Sequence, residues 1–224
     1  IEYGRGGVRI QTDRSSIRGS HVIVTAPLGV LKANRIRFLP GLPKAKREAI
    51  QKIAVGNLEK VLLVFDRTFW GSGLRENKQN ILYISPQLSE FPVFYDLTPV
   101  AGRPVLAPAI GGDFSRSLAG RPEHAIEAAC EILKTLFPRE FRPPEFAHAT
   151  DWFHDPFSLG SYSNPGLETL PDHFDALAEP VAGRLLFAGE ATSGDYFGYV
   201  HGAIASGIRE ARRIAREPLD LRLV

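Results

Sequence analysis

Two short apolar segments near opposite ends of the chain, His21–Thr25 and Arg184–Ala188, constrain the fold more than any other feature. The first is stopped by Ala-Pro and the second by Gly-Glu, so each reads as a brief buried strand ending at a turn. Around them, Ile1 to Ile10 predicts a hairpin turning at Gly6-Gly7, Leu28 to Lys32 a short turn or helix, and the region from about Val200 a helix. Between the ends runs a stretch that could build a sheet by itself. It holds a helix over Lys44–Ala54, a long strand "EKVLLVFD" (Glu59–Asp66), and strands near Ile81–Ser85, Pro92–Leu97 and Val105–Ile110. A helix follows over Arg121–Phe137, with Pro122 in its first turn and a stripe of Ala125, Ala129, Ile132, Leu133 and Leu136, and then a strand over Glu145–Thr150. Such a chain leaves one domain, builds a second and returns. The Pro-rich "FLPGLP" (Phe38–Pro43) marks the first crossing, which assigns residues 1–39 and 151–224 to one domain and 40–150 to the other, in a mixed α/β class.

Composition narrows the function classes. Apolar residues at 44% and charged residues at 23% are those of a globular protein. The formal net charge of +2 comes from scattered Lys and Arg, so the basic stripe that a nucleic-acid surface needs is missing. No run has the length of a membrane span. A single cysteine, Cys130, rules out an internal disulfide framework and reads as a buried thiol on the apolar side of a helix. Nucleic acid and membrane are therefore not expected partners, and the cytoplasm is the default location. A chain that opens at Ile1 and contains no methionine is expected to be part of a longer product.

The segment after the last strand carries the chemical signal. A helix beginning near Val200 presents unpaired backbone N–H groups and the positive end of its dipole, and Gly198 and Gly202 would let a flat or anionic group come close.

The whole stretch "LLFAGEATSGDYFGYVHGAIASGIREA" resembles the C-terminal flavin-contacting segment of the flavin-dependent amine oxidases, the family of polyamine oxidases, monoamine oxidases and lysine-specific histone demethylases. The resemblance continues through "VIVTAPLGVLK", "LPKAKREAIQKIAVGNLEKVLLVFDRTFW" and "WFHDPFSLGSYS", in the family's order over nearly the whole chain. It implies an FAD-linked fold: part of an FAD-binding domain joined to a substrate domain with a mixed sheet flanked by helices. Gly189 and Glu190 would lie beside the ribityl–pyrophosphate part of FAD, Val200 at the pyrimidine edge and Trp152 near the dimethylbenzene side. Lys60 would hold a water at the reacting edge of the flavin, lowered in pKa if it faces inward. Tyr162 and Tyr199 would flank the substrate nitrogen, favouring small amines or polyamines. Tyr95 falls where a further site aromatic often lies, and His201 reads as a cap or supporting group.

One family feature is missing. The Gly-x-Gly-x-x-Gly turn that cradles the dinucleotide pyrophosphate does not occur, so the match is to roughly the C-terminal half. The implied activity is FAD-dependent oxidation of an amine with oxygen as the acceptor and hydrogen peroxide as product. Two alternatives stay open. One is an L-amino-acid oxidase, for which Arg75, Arg103 or Arg116 could take the substrate carboxylate. The other is a non-catalytic segment needing an N-terminal half, or a partner chain over its exposed apolar face.

Overall fold

The computed structural model describes residues 1–71 and 80–215, which fall into two compact units. One comprises Ile1–Gly56 and the chain from Pro156 onward, the other Asn57–Asp155. The chain does leave a unit and return to it, but the first crossing lies at Gly56 rather than at residue 39. Helix packing explains the difference, as described below for residues 44–52.

The N-terminal part of the first unit contains β1 (Glu2–Gly4), β2 (Gly7–Gln11), β3 (Ser16–Gly19), β4 (Val22–Val24), α1 (Leu28–Lys32), α2 (Lys44–Lys52) and β5 (Ala54–Gly56). The expected hairpin is β1–β2, and β3 extends it into a three-stranded antiparallel sheet. Every residue of β3 is exposed, so no apolar alternation announces that strand.

The second unit contains β6 (Leu58–Val64), β7 (Asn80–Leu82), β8 (Val93–Asp96), α3 (Thr98–Ala101), β9 (Val105–Gly111), α4 (Gly112–Leu118), α5 (Pro122–Leu136) and β10 (Phe146–Ala149). Among the described residues its five strands run in the order β10-β6-β9-β8-β7 and pair antiparallel throughout, where a mixed sheet is the family expectation. Pro122 at the start of α5, Glu123 in its first turn and Lys134 in its last suit the helix dipole. Ala125, Ala129, Ile132 and Leu133 face the core of this unit, with Val61, Leu63, Phe94 and Leu106 from the strands. Phe69 anchors one edge, its ring lying 5.0–5.9 Å from those of Phe65, Trp70, Phe137 and Phe141. Cys130 is half-buried against this core, and burial pushes its thiol pKa up, as an inert structural cysteine requires.

The chain then completes the first unit with β11 (Tyr162–Asn164), α6 (Pro171–Ala178), β12 (Leu185–Phe187), a 3-10 turn (Glu190–Thr192) and α7 (Val200–Ala215). β12 pairs in parallel with β4, Leu185 opposite Val22 and Phe187 opposite Val24, which joins the short apolar segments from the two ends of the chain. β11 pairs antiparallel with β5. α2 packs against α6, bringing Ala49, Ile50 and Ile53 onto Phe174, Leu177 and Phe187 in one core, and this holds residues 40–56 in the first unit. Among the described residues no helix is long and apolar enough to cross a membrane.

A lysine sits inside that core. Lys46 Nζ donates to the carbonyls of Ala176 (3.1 Å) and Leu177 (2.6 Å) near the end of α6, and lies 4.0 Å from the centre of the Phe187 ring. Desolvation lowers its pKa from the ordinary 10.5 to about 7; Glu179 and Glu210 pull it upward, while Arg209 and Arg213 add to the lowering. Between about pH 7 and 10.5 the unfolded chain therefore holds more protons at this site than the folded one, so the Lys46 contribution to stability grows as pH rises through that window. Below pH 7 both states are protonated and the contribution is flat. Urea unfolding at pH 7 and pH 10 is expected to show a rise that Lys46→Met lacks, at up to about 1.4 kcal/mol per pH unit. Identical pH slopes in the two proteins would contradict the assignment.

Candidate active site

β4 and β12 run parallel, and a cleft of about 260 Å³ opens where both end. Thr25, Ala26 and Pro27 line it from one strand, Ala188, Gly189 and Glu190 from the other, with Ser161 and Ala203 at its margins. The crevice beyond the carboxyl ends of parallel strands is where open α/β sheets bind ligands. Three larger openings among the described residues of the same unit, about 320 Å³ around Arg37 and Arg47, about 480 Å³ around Leu170 and Phe197 and about 290 Å³ around Tyr3 and Arg18, contain none of the candidate residues.

Gly189 has φ +133°, a conformation that glycine adopts freely, and the space where its Cβ would stand is open. Its N–H donates to Ser206 Oγ at 2.8 Å, and its carbonyl accepts from Thr192 Oγ at 2.8 Å, which fixes this backbone at the cleft. The volume lies just below the roughly 300–1,000 Å³ usual for small-molecule sites, so the cleft fits part of a dinucleotide and not the whole. On that ground the residues present are compatible with a share in holding FAD.

Glu190 lines the cleft, and its carboxylate is bonded to two neighbouring segments. Oε1 accepts the Ser163 N–H at 3.0 Å, and Oε2 accepts the Ser163 hydroxyl at 2.6 Å and the Gly198 N–H. These bonds bring together the neighbours of two expected site residues, since Ser163 follows Tyr162 and Gly198 precedes Tyr199. The Tyr162 ring also lies against Gly198, where a Cβ would stand 3.2 Å from it. Tyr162 is 39% exposed and Tyr199 62%. Tyr199 stacks on His201 with centroids 5.1 Å apart, and His201 meets Tyr196 edge-on at 4.8 Å, so His201 supports an aromatic cluster. Val200, the first residue of α7, is 78% exposed.

Two glycines turn out to serve the protein and not a ligand. At Gly202 a Cβ would stand 2.1 Å from the Tyr196 carbonyl oxygen, and at Gly198 the space is taken by Tyr162. The close approach expected there is that of the Asp195–Phe197 loop and the Tyr162 ring.

The sequence reading missed the anchor of this region. Glu210 is fully buried on α7 and pairs with Arg209 (2.5 Å) and Arg213 (3.3 Å). The Arg209 guanidinium also donates to the carbonyls of Phe187 (3.1 Å) and Thr192 (2.9 Å) and to Thr192 Oγ (3.1 Å), spanning both sides of the Gly189–Glu190 turn. The signal available was the buried stripe Gly202, Ser206, Glu210 at helical spacing, which places a carboxylate on an inward face.

The remaining expected residues belong to the second unit. Along β6 the side chains of Glu59, Val61 and Leu63 are buried, while Lys60 is exposed on the other face, so the desolvation expected of an inward-facing lysine is not what this unit provides. Its backbone is held on both sides: the Lys60 N–H donates to Thr150 Oγ, and the Lys60 carbonyl accepts from the Thr150 N–H, each at 2.9 Å. Trp152 is 42% exposed just beyond β10, and Tyr95 is exposed on β8. Arg103 pairs with Glu145 and Arg116 with Asp113, both at the surface. Arg75 lies outside the described residues.

Comparison with known proteins bears on the chemistry. The chain is 39% identical over 220 residues to lysine-specific histone demethylase 1 homolog 1 of Oryza sativa, covering 96% of this chain and 26% of that protein. It is 37% identical over 221 residues to Protein FLOWERING LOCUS D of Arabidopsis thaliana, with 96% and 28% covered. The chain thus spans about a quarter of the length of these relatives. Cyclohexylamine oxidase from Brevibacterium oxydans has a similar structure, with TM-score 0.78 and 26% identity over 96% of this chain and 47% of that one. The model of the family described as flavin containing amine oxidoreductase matches residues 1–215, and the chain belongs to that family.

Proposed function

We propose that the protein carrying this chain oxidises an amine at FAD, and that this segment supplies the flavin-facing wall and the aromatic gate for the substrate. The observation that carries the reading is the cleft at the ends of β4 and β12, bounded by Gly189 and Glu190, with Glu190 holding the Tyr162 and Tyr199 segments together. The bound flavin would supply the redox chemistry, taking a hydride equivalent from the carbon beside the amine nitrogen and passing electrons to oxygen to give hydrogen peroxide.

The roles left to the chain are positioning and electrostatics. The Gly189–Glu190 backbone would hold the ribityl–pyrophosphate part, and Trp152 the dimethylbenzene side. The start of α7 at Val200 would stabilise negative charge through its N–H groups and dipole. Tyr162 and Tyr199 present aromatic faces that orient an amine and favour a cationic group. Lys60, a compact ammonium with three donors, would hold a water where proton and oxygen chemistry occur; water then hydrolyses the imine to the carbonyl product.

For the substrate, the tyrosine pair supports a slender small amine or polyamine. A second reading, an N-methylated lysine side chain in a peptide, is favoured by the names of relatives 34–39% identical to this chain. The test is peroxide release by the full-length protein with spermine, cyclohexylamine, a methyl-lysine peptide and a set of L-amino acids. Turnover of spermine or cyclohexylamine is the expected result. Turnover confined to the peptide would select the second reading, and turnover confined to amino acids would overturn both.

A further inference from the structure

We infer that Glu190 is a positioning residue that sets the gap between Tyr162 and Tyr199 and so selects slender amines over bulky ones. The inference rests on the amine-oxidising reading above and assigns to a side chain what that reading leaves to the aromatic rings. Three donors converge on one carboxylate: the Ser163 N–H, the Ser163 hydroxyl and the Gly198 N–H. They come from two segments far apart in sequence. Ser163 sits in the centre of β11 and is fully buried, so its position is tied to β5 by the pairing of Ser163 with Val55. Gly198 lies in the turn that enters α7, with φ +74°.

The carboxylate is suited to this task because an ionised carboxylate is acceptor-only, with room for several donors on two oxygens. Gln in its place would point an N–H₂ group at one or more of the same donors, and the two segments would no longer be drawn to one point. The same bonds hold Gly198, the residue before Tyr199, where the Tyr162 ring lies against it, so the two tyrosine segments meet at this point. Orientation within such a pair is worth much, since misplacement of about 1 Å can cost up to 10²-fold in rate.

The experiment compares Glu190→Gln and Ser163→Ala with the wild-type full-length protein. Ser163→Ala removes one of the three bonds at a buried position that does not line the cleft. Both variants are expected to keep wild-type flavin content and to raise KM for spermine, roughly tenfold for Glu190→Gln and less for Ser163→Ala, with a smaller change for cyclohexylamine. Loss of flavin in Glu190→Gln together with wild-type behaviour of Ser163→Ala would mean that Glu190 acts on the cofactor, and would overturn the inference. An equal change for both amines would overturn it too. Hydrogen exchange supplies a readout that does not need turnover: amides of Tyr162–Asn164 and of Phe197–Val200 are expected to lose protection together in both variants. Loss in only one of these segments contradicts the clamp even if no amine is turned over, whereas absent turnover with joint loss would count against the functional reading alone.

Discussion

Replacing Arg209 with methionine is expected to destabilise the first unit by about 3–5 kcal/mol, because it leaves the fully buried Glu210 carboxylate short of its nearer cation. The same change orphans the carbonyls of Phe187 and Thr192, which the guanidinium holds at 3.1 and 2.9 Å on either side of the Gly189–Glu190 turn. Arg213 remains, at 3.3 Å from the other oxygen and closer to solvent, and compensates only in part. A buried pair is less costly to remove whole than to break. The double variant Arg209→Met, Glu210→Met is therefore expected to recover a measurable part of the loss, since the uncompensated charge is gone. Urea unfolding of the two variants checks both statements. A single variant within about 1 kcal/mol of wild type would show that the pair does not anchor the turn.

Lys60→Met is expected to lower turnover by roughly 10²–10⁴-fold, the range for losing a group that assists proton transfer. The side chain lies on the exposed face of β6, and Thr150 holds the Lys60 N–H and carbonyl, so the substitution should leave the strand in place. Stability is accordingly expected to change by no more than about 0.5 kcal/mol. KM for the amine should move little, because the proposed function gives orientation of the substrate to the tyrosines and not to the lysine. The discriminating measurement is kcat and KM for amine oxidation together with an unfolding midpoint. An unchanged kcat with a stable protein would remove Lys60 from the mechanism. Lys60→Arg is not expected to rescue the loss, since the planar guanidinium presents its donors in a different geometry.

The elements with strong periodicity were legible before the structure. The strand read over Glu59–Asp66 is Leu58–Val64, and the helix read over Arg121–Phe137 is Pro122–Leu136. The short strands read at His21–Thr25 and Arg184–Ala188 are Val22–Val24 and Leu185–Phe187, while their parallel pairing comes from the structure. Other features needed tertiary context. β3 has no apolar residue turned to a core, and α6, with Pro171 at its start and Phe174, Leu177 and Ala178 at helical spacing, carried a signal that its short length obscured. The face of Lys60 was ambiguous because apolar residues lie on both sides of β6: Val61 and Leu63 on one, Leu62 and Val64 on the other.

The candidate site shows the same division. The segment from Phe187 to His201 was recognisable as chemistry-bearing, yet the work of its Glu190 carboxylate depends on Ser163, 27 positions away. No local pattern reports a hydrogen bond over that separation. Likewise Gly202 reads in sequence as an opening for a ligand, while in the fold it admits the Tyr196 carbonyl.

The central claim is that this chain helps to form a flavin site that takes electrons from an amine. The most direct measurement is the visible absorbance of the flavin in the purified full-length protein, followed under anaerobic conditions as spermine or cyclohexylamine is added. Bleaching by an amine, with colour restored by oxygen, is the expected result. A protein that retains FAD but whose absorbance is unchanged by every amine offered, including the methyl-lysine peptide, would contradict the account.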